Sequence, residues 1–291
     1  MHTVNSLTPQ QLLDHMDSGA LWPPVSNAHP ARDLGEAYRI ARKVDRLRKQ
    51  RGEQTRGYKI GFTNIDMWAR YGVTAPIWGR MWDTTVSDTD ARGDAHINLH
   101  GLCQPRIEPE VVFGLRAAPL GTDPQDLYEA IDWVAPGFEF VQSHCPDWRF
   151  TADQTIVDGG LHGRLIIGPR HRVADLAPDA AALQAALAAL DMTLSRDGTV
   201  VDTGSGAKVL GNPLLALGHL VQGLSEDTKA TPLTGGDIVT TGTLTDAWPV
   251  EPGQNWVAHY PGLWPDLSVS TMVADRISYS DEAGGGESRS N

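Results

Sequence analysis

The chain has 291 residues, 41% of them hydrophobic, and a formal net charge of −12, enough apolar content to bury a sizeable core in one large domain or two smaller ones. The negative balance argues against nucleic acid and against an anionic membrane surface as partners, and it means that a small anionic substrate needs local cations to bind. No segment approaches the roughly 18 apolar residues of a membrane span, and residues 1–6 lack a signal-peptide pattern, so a cytoplasmic location is expected.

The two cysteines, Cys103 and Cys145, fit a reducing compartment, have no zinc-type spacing and read as packing residues. In chain order, Thr8-Pro9 reads as an N-cap followed by proline at the first helical position, with Gly19 as the stop of a short helix. After a connection at Trp22-Pro23-Pro24, residues Leu34, Ala37, Tyr38, Ala41, Val44 and Leu47 recur at three- and four-residue intervals. They predict an amphipathic helix packed on something larger.

From Gly57 onward, β-prone runs alternate with Gly, Pro and Asp, and strands dominate. The first, 57–62, carries Lys59 between Gly57 and Gly61, which permit close backbone approach by a ligand. Lys59 is either an exposed strand residue or a cation facing a site. Residues 75–80 read as a loop anchored by Trp78.

Residues 106–113 place Glu108 and Glu110 at i and i+2 in an apolar strand, where both side chains point to one face. Two such charges in a poorly solvated site cannot both stay ionised unless something positive lies between them, and a divalent cation meets that need. The alternative is a solvated strand face with two surface glutamates. Pro109 between them suggests an edge strand or a bulge. Glu139, in the apolar run 130–141, is a third carboxylate hard to explain at a surface.

A polar, Gly-rich turn at 153–163 precedes a strand at 164–168, and 180–190 reads as an alanine-rich helix. Residues 192–201 form a hairpin around Asp197-Gly198. Residues 204–207 read as a flexible glycine loop, and Asn212-Pro213 opens a helix to about Gly223. No G-K-[ST] follows the glycines, so nucleotide binding is rejected. Residues 236–244 and 256–273 alternate like half-buried strands, and 279–291 read as a disordered tail.

Five segments in register, 57–61, Glu108-x-Glu110, Gly137-Phe138-Glu139, 206–213 and 236–242, carry a resemblance over about residues 35 to 275. The chain resembles the 2-keto-4-pentenoate hydratase and 4-oxalocrotonate decarboxylase family of the fumarylacetoacetate hydrolase superfamily. The resemblance implies an α+β, mainly β fold: a mixed β-roll or barrel core with peripheral helices. It divides the chain into a helical N-terminal region (1–56), a catalytic domain (57–278) and the tail. It also implies a homo-oligomer, with a complex with a pathway enzyme as a further expectation.

By the same resemblance, Glu108, Glu110 and Glu139 hold Mg²⁺ or Mn²⁺, and a small 2-keto acid chelates that ion through its carboxylate and keto oxygens. Lys59, Gly61 and Thr243 bind the substrate, and Lys59 moves a proton with a pKa lowered by desolvation beside the metal. The chain departs from the pattern at 158–163, which reads Asp-Gly-Gly-Leu-His-Gly where the hydratases usually read Asp-Asn-Ala-Ser-Ser-Gly. His162 is therefore a candidate general base in place of the missing hydroxyls, or else a structural hydrogen-bonding group. His144 is a further candidate. Lys208 stands where alanine is frequent, and Thr243 resembles the hydrolase branch, whose threonine contacts a substrate carboxylate. The implied activity is that of a metal-dependent lyase, with hydration of a 2-hydroxydienoate first and decarboxylation of a related oxo-diacid second. C–C hydrolysis of an acylpyruvate and a noncatalytic, metal-stabilised subunit are the readings from other classes.

Overall fold

The computed structural model describes residues 7–23 and 33–272; the tail expected at 279–291 lies outside them. Two helices open the chain. α1 (Pro9–Ser18) has the expected start and stop, with Thr8 and Gln11 closing a capping box and Gly19 in the left-handed region at φ 68°. α2 (Leu34–Gln50) packs the apolar stripe seen in the sequence. Leu12, Leu13, Trp22, Ala37 and Val44 share a buried cluster with Ile77, Cys145, Ile156 and Val157 from later in the chain. Of these side chains, the leucines, isoleucines and valines each contribute about 1.5–3 kcal/mol by leaving water, which holds both helices on the β core.

The strands are β1 (Thr55–Gly61), β2 (Ile77–Trp82), β3 (Val86–Asp88), β4 (Asp94–Asn98), β5 (Arg106–Leu115), β6 (Ile131–Val141) and β7 (His162–Ile167). They continue with β8 (His171–Arg172), β9 (Asp191–Arg196), β10 (Thr199–Ser205), β11 (Ile238–Thr243), β12 (Trp248–Pro249), β13 (Asn255–His259) and β14 (Leu267–Met272). Between them lie α3 (Trp68–Tyr71), α4 (Pro124–Ala130), α5 (Ala152–Val157), α6 (Val173–Leu176), α7 (Ala180–Ala188) and α8 (Pro213–Glu226). Among the described residues one sheet runs β2-β1-β11-β5-β6-β7-β3, with β12 on β5 and β8 on β6; a second runs β10-β9-β13-β14-β4.

The larger sheet is strongly curled. Lys59 on β1 and Glu139 on β6 are three strand spacings apart in the sheet order, about 14 Å if it were flat. Yet their charged ends lie 3.1 Å apart. Closure brings β2 against the 3-10 turn Gly159–Leu161, where a Cβ on Gly79 would lie 2.0 Å from the Gly159 carbonyl oxygen. A side chain at Gly79 would hold the two edges apart.

Strand alternation then gives the curled sheet two different faces. Tyr58, Ile60, Ile107, Val111, Phe113, Phe138 and Phe140 point outward into the main core, together with Leu194, Trp256 and Leu267 of the smaller sheet and Leu214 and Leu217 of α8. The inner face carries the apolar group Met81, Val112, Ala135, Leu165, Ile167 and Ile238 at one end. At the other end of the same face are Lys59, Glu108, Glu110 and Glu139, one or two alternations further along β1, β5 and β6.

Several local expectations change. The loop expected at 75–80 gives way from Ile77 to β2, which pairs antiparallel with β1 while Trp78 stacks on Tyr38 with ring centroids 4.3 Å apart. The expected flexible loop at 204–207 is ordered: Gly204 and Ser205 are the last residues of β10, and a Cβ on Gly206 would sit 1.7 Å from the Leu187 carbonyl oxygen. Gly57 approaches a neighbouring strand rather than a ligand, since its Cβ would lie 1.9 Å from the Ile238 carbonyl oxygen. Pro109 does not mark an edge, because β5 is interior. Its carbonyl accepts from Leu244 N at 2.8 Å, so its missing N–H faces the β11 side. There β11 bulges, with Thr240 opposite Val112 and Thr243 opposite Glu110, and the ladder with β6 needs nothing from that nitrogen.

Candidate metal centre and substrate cavity

Register brings the acids together. Glu108 lies directly opposite Glu139 across the β5–β6 pair, and Glu110 is two residues further on the same face. One carboxylate oxygen from each of the three can be chosen so that all lie within 4.8 Å of one another. Glu110 and Glu139 have no exposed surface, and Glu108 is partly open to a cavity. Like charges placed opposite each other on a strand pair are destabilising, and the one lysine beside the three acids offsets only part of their charge.

The protonation pattern reflects that deficit. Burial and Glu139 push Glu108 up to about 7 against the pull of Lys59. Burial, Glu139 and Glu108 push Glu110 well above the usual carboxylate range. Glu139 stays below that range despite its burial, because Lys59 and His162 both stabilise its charge. Burial pulls Lys59 down, but Glu139, Glu108 and Glu110 together outweigh it and hold the amine above its ordinary value.

The hydrogen bonds leave room for a ligand at the centre. Glu110 Oε2 accepts from Gly242 N at 2.8 Å, while its buried Oε1 has no hydrogen-bond partner among the described residues. Glu139 Oε1 accepts from His162 Nδ1 at 2.8 Å. Glu139 Oε2 makes the 3.1 Å ion pair with Lys59 without the alignment of a hydrogen bond. Buried oxygens lacking donors are costly, and an all-oxygen, anionic donor set suits a hard divalent cation such as Mg²⁺ or Mn²⁺. The residues fit such an ion.

Above the acids lies a cavity of about 880 Å³, within the range of small-molecule sites. Lys59, Gly61, Glu108 and Thr243 line it, so the structure gathers these four sequence candidates around one space. The Thr243 hydroxyl is already engaged, donating to Thr245 O at 3.0 Å and accepting from Thr245 N at 3.2 Å. His162 is not on the cavity wall; it is buried behind Glu139, with Nε2 2.9 Å from Thr85 Oγ1. His144 is buried elsewhere, its Nδ1 2.6 Å from Asp158 Oδ1 and its backbone N–H donating to Asp158 Oδ2 at 2.9 Å. Lys208 is exposed at the cavity, donating to Thr203 O at 3.1 Å.

The sequence reading missed one wall. Phe62 stacks on Tyr71 at 4.8 Å and Tyr71 on Phe150 at 5.5 Å, with Trp148 tilted against Phe150 at 6.0 Å. All four face the cavity. The Arg106 guanidinium lies 4.2 Å over the Trp148 ring, and that of Arg70 lies 5.5 Å from the Tyr71 ring centroid. Arg106 was findable, because it shares the strand face of Glu108 at i−2. The aromatic residues come from three separate segments and carry no shared local signal.

Comparisons with known proteins place the chain in a family. A model of the fumarylacetoacetate (FAA) hydrolase C-terminal domain matches residues 88–265. The 2-hydroxyhexa-2,4-dienoate hydratase of Comamonas testosteroni is 30% identical over 250 residues, covering 85% of this chain and 90% of that protein. The 4-oxalocrotonate decarboxylase of Pseudomonas sp. (strain CF600) is 30% identical over 270 residues, 89% of this chain and 96% of that one. The solved structure of 4-oxalocrotonate decarboxylase from Pseudomonas putida G7, complexed with magnesium and adipate, superposes with a TM-score of 0.80 at 26% identity. It covers 92% of this chain and 99% of that one. Because the matched region takes in the acidic strand pair and most of the curled sheet, and the relatives align over nearly their whole length, the chain belongs to the fumarylacetoacetate hydrolase family.

Proposed function

We propose that the protein is a divalent-metal-dependent lyase acting on a small 2-keto acid, with hydration of a 2-hydroxydienoate as its reaction. The observation that carries this reading is the convergence of three buried or half-buried carboxylates beside a buried lysine at the floor of an otherwise open cavity. Glu108, Glu110 and Glu139 hold Mg²⁺ or Mn²⁺. When bound, the cation neutralises the acids and supplies Lewis acidity toward the carboxylate and 2-oxygen of the substrate. With the charge of the acids offset by the cation, Lys59 Nζ would be free to accept the proton of the substrate 2-hydroxyl and pass it to carbon, giving the conjugated 2-keto acid, and hydration is completed when a water from the open cavity adds its OH and H across the remaining carbon–carbon double bond. Gly61, lacking a side chain, leaves the substrate room beside Lys59. The aromatic wall packs the conjugated tail, and Thr243 stands at the rim with its hydroxyl turned to Thr245.

Arg106 favours a second reading, decarboxylation of a 2-oxo-diacid. Its guanidinium is half-buried and makes no ion pair among those found in the described residues, its one hydrogen bond to protein being a 3.5 Å contact with Ala247 O. Such a cation suits a second carboxylate. The same proposal places the chain in the cytoplasm as a homo-oligomer, with 1–56 as a helical cover on a catalytic unit, 57–278. Among the described residues no helix is long and apolar enough to cross a membrane. The test is incubation with Mg²⁺ and, separately, 2-hydroxypenta-2,4-dienoate and 2-oxohex-3-enedioate, following ultraviolet absorbance and released carbon dioxide. Loss of the dienoate chromophore without carbon dioxide supports hydration, and carbon dioxide from the diacid alone supports the second reading. No turnover of either by the metal-loaded protein rejects both.

A further inference from the structure

His162 reaches Glu139 through an irregularity in β7. On β6 and β7, Glu139 pairs with Leu165 and Phe140 with Arg164, but Val141 pairs with His162, so Gly163 is an extra residue on one strand. With regular alternation His162 would share the outward face of Arg164 and Ile166. The bulge re-aims it toward the acids, as bulges beside functional sites do. Glycine is required at the extra position, because a Cβ there would lie 2.5 Å from the Phe140 carbonyl oxygen.

The histidine so placed is fixed at both ring nitrogens. Nδ1 is 2.8 Å from Glu139 Oε1, and facing an ionised carboxylate it carries the hydrogen and donates. Nε2 is 2.9 Å from Thr85 Oγ1. Thr85 is itself held by the backbone of Trp82, whose N–H lies 3.1 Å and whose carbonyl oxygen 3.0 Å from the hydroxyl. Of the three acids, Glu139 is the one with a side-chain donor behind it and a lysine beside it. The His162 side chain is almost fully buried, 3% exposed.

We propose that His162, set by Thr85, is a positioning residue that holds Glu139 in the orientation in which it binds the cation, and that it is not a base acting on substrate. The proposal rests on the reading of the acids as a cation site. Partners of this kind behind a metal ligand change metal affinity by about 10–100-fold when removed.

The test is Mn²⁺ binding by calorimetry, alongside thermal unfolding, for the parent chain and three variants. His162→Leu removes the donor and is expected to bind Mn²⁺ at least about tenfold more weakly. His162→Asn keeps an N–H close to the Nδ1 position and is expected to bind within about threefold of the parent, even where its melting temperature falls, because the smaller side chain leaves a void. Thr85→Val, which leaves His162 in place, is expected to lose about threefold or more. Parent-like affinity in His162→Leu, or equal affinity losses in the Asn and Leu variants, overturns the proposal. If His162→Leu does not fold, parent-like affinity in Thr85→Val overturns it. A parent chain that binds no Mn²⁺ rejects the cation site itself and this proposal with it.

Discussion

Glu108→Gln should make the metal-free protein more stable at pH 8 and leave it nearly unchanged at pH 5. Glu108 faces Glu139 directly across two strands and, with burial, this raises its carboxyl from 4.5 to about 7. Because the folded value lies above the unfolded one, the folded chain holds this proton more tightly between those limits. The associated stability is fully present below about pH 4.5 and is lost as pH rises through about 7. The difference of about 2.5 in pKa corresponds to about 3 kcal/mol at 1.36 kcal/mol per tenfold. Glutamine mimics the protonated acid at every pH, so it escapes that loss. For a chain of this size, where 1 kcal/mol moves the midpoint by roughly 2–4 °C, the variant should melt about 6–12 °C above the parent at pH 8 in excess chelator. Mg²⁺ should reverse the order by stabilising the parent alone. The assay is thermal unfolding from pH 5 to 8, with chelator and with Mg²⁺. Parallel metal-free curves for parent and variant would refute the argument that the acids repel each other when no cation lies between them.

Three further outcomes follow from the same geometry. Glu110→Gln should lose most Mg²⁺ affinity by calorimetry while keeping a cooperative unfolding transition, since one anionic oxygen is removed and the side-chain shape is retained. Lys59→Met should bind Mg²⁺ but turn over substrate about two to four orders of magnitude more slowly, the usual range for a positioned acid or base; an unchanged rate returns Lys59 to a structural role. Thr243→Val should bind oxalate, with saturating Mg²⁺, within about twofold of the parent, because the hydroxyl already bonds Thr245. A roughly tenfold loss, 1.4 kcal/mol, would instead show that the hydroxyl turns to the ligand.

The sequence alone determined those features whose physics is local. Thr8, Gln11 and Gly19 cap a helix wherever it sits, Asp197-Gly198 turns a hairpin, and two glutamates at i and i+2 share a strand face whatever lies opposite. The anomaly of Glu139 in an apolar run was visible for the same reason, because burying an unpaired charge is unfavourable in any fold. Only tertiary structure decided what these residues meet. The β5–β6 register set Glu139 against Glu108, and curling of the sheet carried Lys59 across three strand spacings to the same point. The bulge at Gly163 turned His162 from the outer face to the back of Glu139, the placement on which the proposed supporting role rests. Of the two readings of Pro109, edge or bulge, the structure gives the bulge, which lies in β11 opposite the missing N–H, and where it falls is set by a strand more than a hundred residues away. Pairing between distant strands is a property of the closed sheet, so no window of sequence contains it.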